Sequence, residues 1–202
     1  YKEEYKKFYS EVYRHSLAHI LAKSVMEIFG KENVQIAIGP QIADGFYYDF
    51  ILPRTLTNDD FKTIEDKMHE VIKRREVWNV KELSREEALK EFADQKFKVE
   101  LINDLPEGEK ITVYYTGDDF EDLCRGPHVA NSQELMNAAF KVKSVSGAYW
   151  RGDEHRDQLQ RIYVYAFETK QELSEHLKLI KEAMERDHKK LGKELDLFMM
   201  SE

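Results

Sequence analysis

Four side chains of metal-ligating and proton-transferring type fall into two pairs: His15 and His19 in RHSLAH, and Cys124 and His128 in CRGPH. A helix turns about 100° per residue, so histidines four apart lie on one face, one turn apart, and reach a common point. Imidazole nitrogen and thiolate sulfur are donors that zinc prefers. Four fill a tetrahedral structural shell, whereas three leave a position for an activated water. Taken singly, each histidine reads as a surface or hydrogen-bonded core residue. The two pairs together favour one site, because the only cysteine of the chain has a histidine four residues on. A zinc-protease helix of HExxH type is disfavoured by Ser16, which stands where that motif needs its general base. A cysteine nucleophile activated by His128 is a further option, although four residues across Gly126-Pro127 do not by themselves deliver hydrogen-bond contact.

These residues need elements to position them. Apolar residues recur at spacings of three and four from about Glu3 to Phe29, with Gly30 as the stop, which predicts a helix carrying His15 and His19. Gln35–Ile38 and Phe46–Ile51 read as paired strands about Gly39-Pro40 and Asp44-Gly45. Thr57 is the expected N-cap of a helix from Asn58 to about Arg75, and Val77–Val80 reads as a strand. Ser84 with Glu87, and Thr169 with Glu172, form capping boxes that open further helices, the last of them running to about Gly192. Asp104–Lys110 is a loop before a strand from Ile111 to Tyr115; Phe140–Val145 and Gln160–Phe167 are strands about a Gly147–Asp153 turn. The pattern is α+β, with helices packed on a largely antiparallel sheet in one main domain.

The 202 residues, 42% apolar and 35% charged, suffice for one sizeable core. No apolar run approaches the roughly 18 residues of a membrane span, and nothing resembles a signal peptide, so a cytoplasmic protein without membrane contact is expected. A single cysteine forms no internal disulfide. With 31 basic against 39 acidic residues, net −8, the chain lacks the broad positive field of a generic nucleic-acid binder, though not a local basic site. It opens at Tyr1 and stops within a helical pattern, as expected of a piece of something longer.

The strings RHSLAH, AIGPQIADGFYYDF, FEDLCRGPHV, GAYWRGDE, LQRIYVYAF and ERDHKKLGKELDLF follow one another along nearly the whole chain. Together they resemble bacterial threonyl-tRNA synthetases, in the second amino-terminal (editing) domain and the linker helix after it. The paired HxxxH and CxxxH are shared with alanyl editing domains and their free-standing relatives; CRGPH, GAYWRGD and LQRIY point to the threonyl side. The resemblance implies a threonyl/alanyl editing-domain fold over 1–168 and a linker helix over 169–202 leading to a catalytic core. It implies hydrolysis of mischarged seryl-tRNA(Thr) to serine and tRNA(Thr), within an enzyme that joins threonine to tRNA(Thr) using ATP and is a homodimer. No ATP site is expected in this stretch.

On the same pattern His15, His19, Cys124 and His128 line the cavity, joined as catalytic residues by Lys98 and Asp122. An ammonium suits the oxyanion or the terminal ribose; a carboxylate suits the ammonium of the substrate or a histidine tautomer. Without the resemblance, Lys98 reads as a solvated lysine and Asp122 as a surface carboxylate. Zinc at the four donors is used by the alanyl relatives, whereas threonyl sites are similar to a design that positions water without metal. Arg125, Lys141, Lys143, Trp150 and Arg151 are expected contacts for the tRNA 3' end, where rings beside basic groups suit a single strand. The competing account of Trp150 is core packing. Tyr47 and Tyr48 alternate across a strand, and the resemblance favours Tyr48 at the site. Two alternatives stand beside the editing reading: a free-standing alanyl-type deacylase, and a non-catalytic tRNA-binding module held by structural zinc.

Overall fold

A computed structural model describes residues 2–194, with side chains from 8 to 186. Helix α1 (Lys2–Phe29) is the centre of the fold. Leu17, Ala18, Ile20, Leu21, Ala22 and Val25 are all buried, so the middle of the helix is covered on every side rather than along one stripe. It ends where expected, at Gly30 with φ +86°.

Among the described residues, eight strands form two antiparallel sheets. The larger contains β1 (Gln35–Ile36), β2 (Gln41–Ile42), β3 (Gly45–Ile51), β7 (Ala139–Tyr149) and β8 (Gln158–Phe167), ordered β1-β3-β8-β7 with β2 also on β3. The smaller is β4 (Trp78–Leu83), β5 (Ile111–Thr116) and β6 (Phe120–Leu123), with β5 central. The α+β class with antiparallel pairing is as the sequence predicts, but the pairing is divided between two sheets, and α1 packs between elements of both.

Several boundaries move. Helix α2 (Asp59–Lys73) has Asn58 at its cap; Thr57 instead gives its backbone N–H to Asp60 Oδ2 at 2.8 Å, so the carboxylate of the first turn does the capping. β4 and β7 run longer than expected, and the hairpin turn lies after Tyr149 instead of at Gly147. Both capping boxes are present, Ser84–Glu87 opening α3 (Arg85–Glu91) and Thr169–Glu172 opening α5 (Lys170–Glu194). The stretch 195–202 of the expected linker helix lies outside the described residues. Among those residues no helix is long and apolar enough to cross a membrane.

Helix α4 (Lys96–Asp104) has no counterpart in the sequence reading. Its start is docked on β1: Gln95 accepts from Ile36 N at 2.9 Å and donates to Val34 O at 3.0 Å, while Lys96 N donates to Gln35 Oε1 at 2.9 Å. Arg85 closes the other end, donating to the carbonyls of Ile102 and Leu105 at 2.5 Å each. These tertiary contacts replace the local cap that the sequence lacks.

Candidate active site

Strand β6 alternates its side chains, so Phe120 and Asp122 point inward, and Cys124 follows them at the strand end. The inward face meets α1. Cys124 Sγ lies 3.1 Å from His15 Nε2 and 3.3 Å from His128 Nε2, and accepts from Gly126 N at 3.1 Å. The spacing argument against thiol–imidazole contact is thus overturned: the turn after Cys124 folds His128 back onto the sulfur. The ring of His128 lies 4.3 Å from that of His15 and 4.1 Å from that of His19. One donor atom from each of His15, His19, Cys124 and His128 lies within 4.8 Å of all the others. Among the described residues this group has the composition and spacing to hold a metal ion, and its nitrogen and sulfur donors fit zinc.

Beside the donors runs a buried polar chain. Lys98, 2% exposed, places its Nζ 2.5 Å from Asp122 Oδ1 and 2.7 Å from Ala37 O. Tyr48 Oη donates to Asp122 Oδ2 at 2.5 Å, and His19 Nε2 lies 3.6 Å from the same oxygen. Docking α4 on β1 brings Lys98 inward, so the solvated-lysine reading fails. His15, His19, Tyr48, Lys98, Asp122 and Cys124 share one cavity of about 190 Å³. His128 stands outside its wall, stacked on Trp78 at 5.9 Å and edge-on to Tyr114 at 4.7 Å.

Ser16, where a metalloprotease would carry its glutamate, holds this histidine. Its Oγ is 3.1 Å from His128 Nδ1, 3.1 Å from Val129 N and 2.9 Å from Val12 O. A serine in mid-helix bonding back to the carbonyl four residues earlier is common, and nothing in the local pattern points to this contact.

Burial dominates the electrostatics. It pushes the Cys124 thiol up to about 12, and it lowers His15, His19 and His128 below the ordinary histidine range, with mutual repulsion adding to the effect on the last two. The ring cluster is therefore neutral at pH 7, as is the thiol, and a thiolate–imidazolium pair is disfavoured.

A stability consequence follows. In the unfolded chain these histidines take up protons near pH 6.5, and in the fold they resist, so the unfolded state binds more protons as pH falls. Stability present above pH 6.5 is lost below it, by up to about 1.4 kcal/mol per pH unit for each histidine. Thermal melts of metal-free protein are expected to show a Tm falling from pH 7 to pH 5.5, with a shallower slope for His128→Asn. A Tm constant over that range would contradict the neutral cluster.

The remaining sequence candidates are dispersed. Arg125 lines the cavity mouth, but its side chain is 80% exposed and ion-paired with Glu109. Lys141 and Lys143 are exposed on β7, an edge of the larger sheet, Lys143 lying 4.9 Å over the Tyr165 ring. Trp150 corrects its expected role as a base-stacking platform: it is 2% exposed, packs 4.7 Å from Phe97 and donates to Glu100 at 3.1 Å. A ring enclosed in this way has no face for a nucleotide. Arg151 pairs with Glu100 at 3.0 Å and with Asp104.

Comparison with known proteins shows what the chain is similar to. Residues 111–163 match the family described as the threonyl and alanyl tRNA synthetase second additional domain. The threonine--tRNA ligase of Thermotoga petrophila is 49% identical over 192 residues, covering 95% of this chain and 29% of the relative. That of Dehalococcoides mccartyi is 49% identical over 190 residues, covering 94% and 32%. The chain is a homologue of one segment of threonyl-tRNA synthetases. It spans under a third of these relatives' length. Within the chain the matched stretch runs from β5 into β8 and supplies Asp122, Cys124 and His128, while His15 and His19 come from α1, outside the match.

Proposed function

We propose that this segment hydrolyses the ester of seryl-tRNA(Thr), releasing serine and free tRNA(Thr), as the proofreading site of a threonine--tRNA ligase. The observation that carries the reading is the convergence of His15, His19 and Cys124 with the Lys98–Asp122 pair around one small cavity, with His128 behind the thiol. Serine lacks one methyl of threonine, worth only about 1–3 kcal/mol of discrimination in a synthetic pocket. A second, tighter cavity that admits serine alone completes the selection.

In the reaction a water oxygen bonds to the ester carbonyl carbon, the carbonyl oxygen gains the charge, and collapse breaks the bond to the ribose oxygen, which leaves with a proton. His15 and His19, neutral through burial, accept hydrogen bonds from that water and orient it with Cys124. His128, fixed by Ser16, holds the thiol in place. The Lys98 ammonium faces the developing oxyanion, and Asp122 orients His19 and receives the substrate ammonium. Burial pushes the Cys124 thiol up, which favours a role in positioning water over one as nucleophile. Zinc held by three of His15, His19, Cys124 and His128 would lower the pKa of a water in its fourth position.

On this reading side chains alone position the water, with Sγ 3.1 Å from His15 Nε2 and 3.3 Å from His128 Nε2. Protein purified without chelator is expected to contain substoichiometric zinc by elemental analysis. A full equivalent that survives chelation would contradict metal-free catalysis.

The partners are the 3' end of seryl-tRNA(Thr) and the catalytic core of the same synthetase, in a cytoplasmic homodimer; residues 1–168 form the editing unit and 169–202 the connector. The closed four-donor geometry also favours, as a second reading, structural zinc in a module that only grips tRNA. His15→Ala and His19→Ala separate the two. Each variant is expected to keep its circular dichroism spectrum while release of serine from seryl-tRNA(Thr) collapses; unfolding with zinc loss would support the structural site.

A further inference from the structure

We infer that Glu100 is a positioning residue for the reaction, setting Lys98 at the catalytic cavity by fixing the rotation of α4 against the end of the β7–β8 hairpin; the inference rests on the editing reading above. Phe97, Glu100 and Asp104 recur on one side of α4 at spacings of three and four, whereas Lys98 and Leu101 line the cavity from the adjoining side. Residues two apart on a helix do not face each other, so Glu100 acts on Lys98 only through the helix itself.

The hairpin end supplies the partners. Arg156 donates both terminal guanidinium nitrogens to Glu100, at 2.9 Å to Oε1 and 2.6 Å to Oε2; Trp150 Nε1 donates to Oε2 at 3.1 Å, and Arg151 Nε lies 3.0 Å from Oε1. The Arg156 fork, foremost among these, holds the carboxyl below the ordinary glutamate range. Arg151 also pairs with Asp104, and Lys96 donates to Asp157 at 2.7 Å, so both ends of α4 are tied to the same turn. A lone exposed pair contributes little, but a bidentate fork within a network fixes geometry. Arg151 holds φ at +56°, a left-handed backbone that few residues other than glycine adopt, and strain of this kind gathers where side chains must be aimed. The same turn reaches the second partner of Lys98: Trp150 packs in one buried cluster with Phe97, Leu159 and Ala37, whose carbonyl accepts from Nζ. Helix and carbonyl are thereby set from one place.

The test is single-turnover hydrolysis of seryl-tRNA(Thr) at rising protein concentration, well below the Tm. Glu100→Gln keeps an acceptor for Trp150 and loses the charge that both arginines share. It should lower the saturating rate about tenfold and leave the half-saturating concentration within about twofold, because the oxyanion that Lys98 meets exists only in the transition state. On a Lys98→Met background the same substitution should slow the reaction by less than about twofold, since its route is already gone. Equal slowing with and without Lys98, a change in half-saturation in place of rate, or a wild-type rate would overturn the assignment. Should Lys98→Met fail to fold, Arg156→Gln replaces it: its effect should match that of Glu100→Gln, and the two together should be no worse than either, whereas additive losses would overturn the assignment. Wild-type hydrolysis with Glu100→Gln unchanged would remove this inference and leave the editing reading standing. With no hydrolysis by any of these proteins the editing reading falls, and amide hydrogen exchange, expected to quicken along α4 in Glu100→Gln, still decides whether Glu100 fixes that helix.

Discussion

Lys98→Met is expected to slow hydrolysis of the serine ester by about 10²–10³, the usual cost of removing an oxyanion donor. It should also destabilise the fold, for a reason that the pairing geometry makes explicit. The carboxylate of Asp122 is enclosed, with Lys98 as its cation at 2.5 Å and a neutral Tyr48 hydroxyl on its other oxygen. Removing one partner of a buried pair costs about 3–5 kcal/mol, because the survivor keeps its desolvation penalty. Asp122→Asn should cost a similar amount by stranding the ammonium. The double variant Lys98→Met with Asp122→Asn strands no charge, so it is expected to recover most of the stability and none of the activity. Urea denaturation and single-turnover assays on the three proteins check this. Recovered activity in the double variant, or a single variant as stable as wild type, would show that the pair is not the buried polar centre of the site.

Gly39→Ala should damage the site from outside it. Gly39 lies between β1 and β2, and a methyl there would sit 2.1 Å from Cδ2 and 2.5 Å from Cε2 of Tyr48. Tyr48 is 1% exposed and stacked on Phe50 at 5.0 Å, so its ring cannot withdraw without moving the core or breaking the bond to Asp122. Overpacking of this kind costs about 1–3 kcal/mol. Displacing Tyr48 by about an ångström disturbs Asp122 and Lys98 together, for an expected loss of about 10²-fold in hydrolysis. Differential scanning fluorimetry and turnover measured well below the Tm check it; wild-type values for both would mean that Tyr48 has slack that its packing does not show.

Both variants act through features of unequal visibility in the sequence. The paired donors were legible, because helix periodicity puts His15 and His19 on one face and a lone cysteine four residues before a histidine is uncommon. Lys98 was not legible from local pattern: it becomes a buried residue only because Gln95 and Lys96 bond to β1 some 60 residues earlier, and long-range docking leaves no periodic trace. Helix α4 went unread for the same reason, its cap being supplied by Gln35 and Arg85 from other elements. Trp150 shows the opposite error. A ring beside a basic residue suits a nucleic-acid strand, but aromatic side chains bury large areas, and Phe97 with Glu100 offered both a face and an acceptor. The division of the strands into two sheets depends on which edges α1 and β3 leave free, and no single strand encodes that.

The most direct test of the account is to present seryl-tRNA(Thr) and threonyl-tRNA(Thr) separately to this chain and follow loss of the ester under single-turnover conditions. The expected result is rapid decay of the seryl ester with threonyl ester loss slower by about 10²-fold, towards the upper end of what one methyl contributes. Equal decay of the two, or no decay above the rate in buffer, would contradict it.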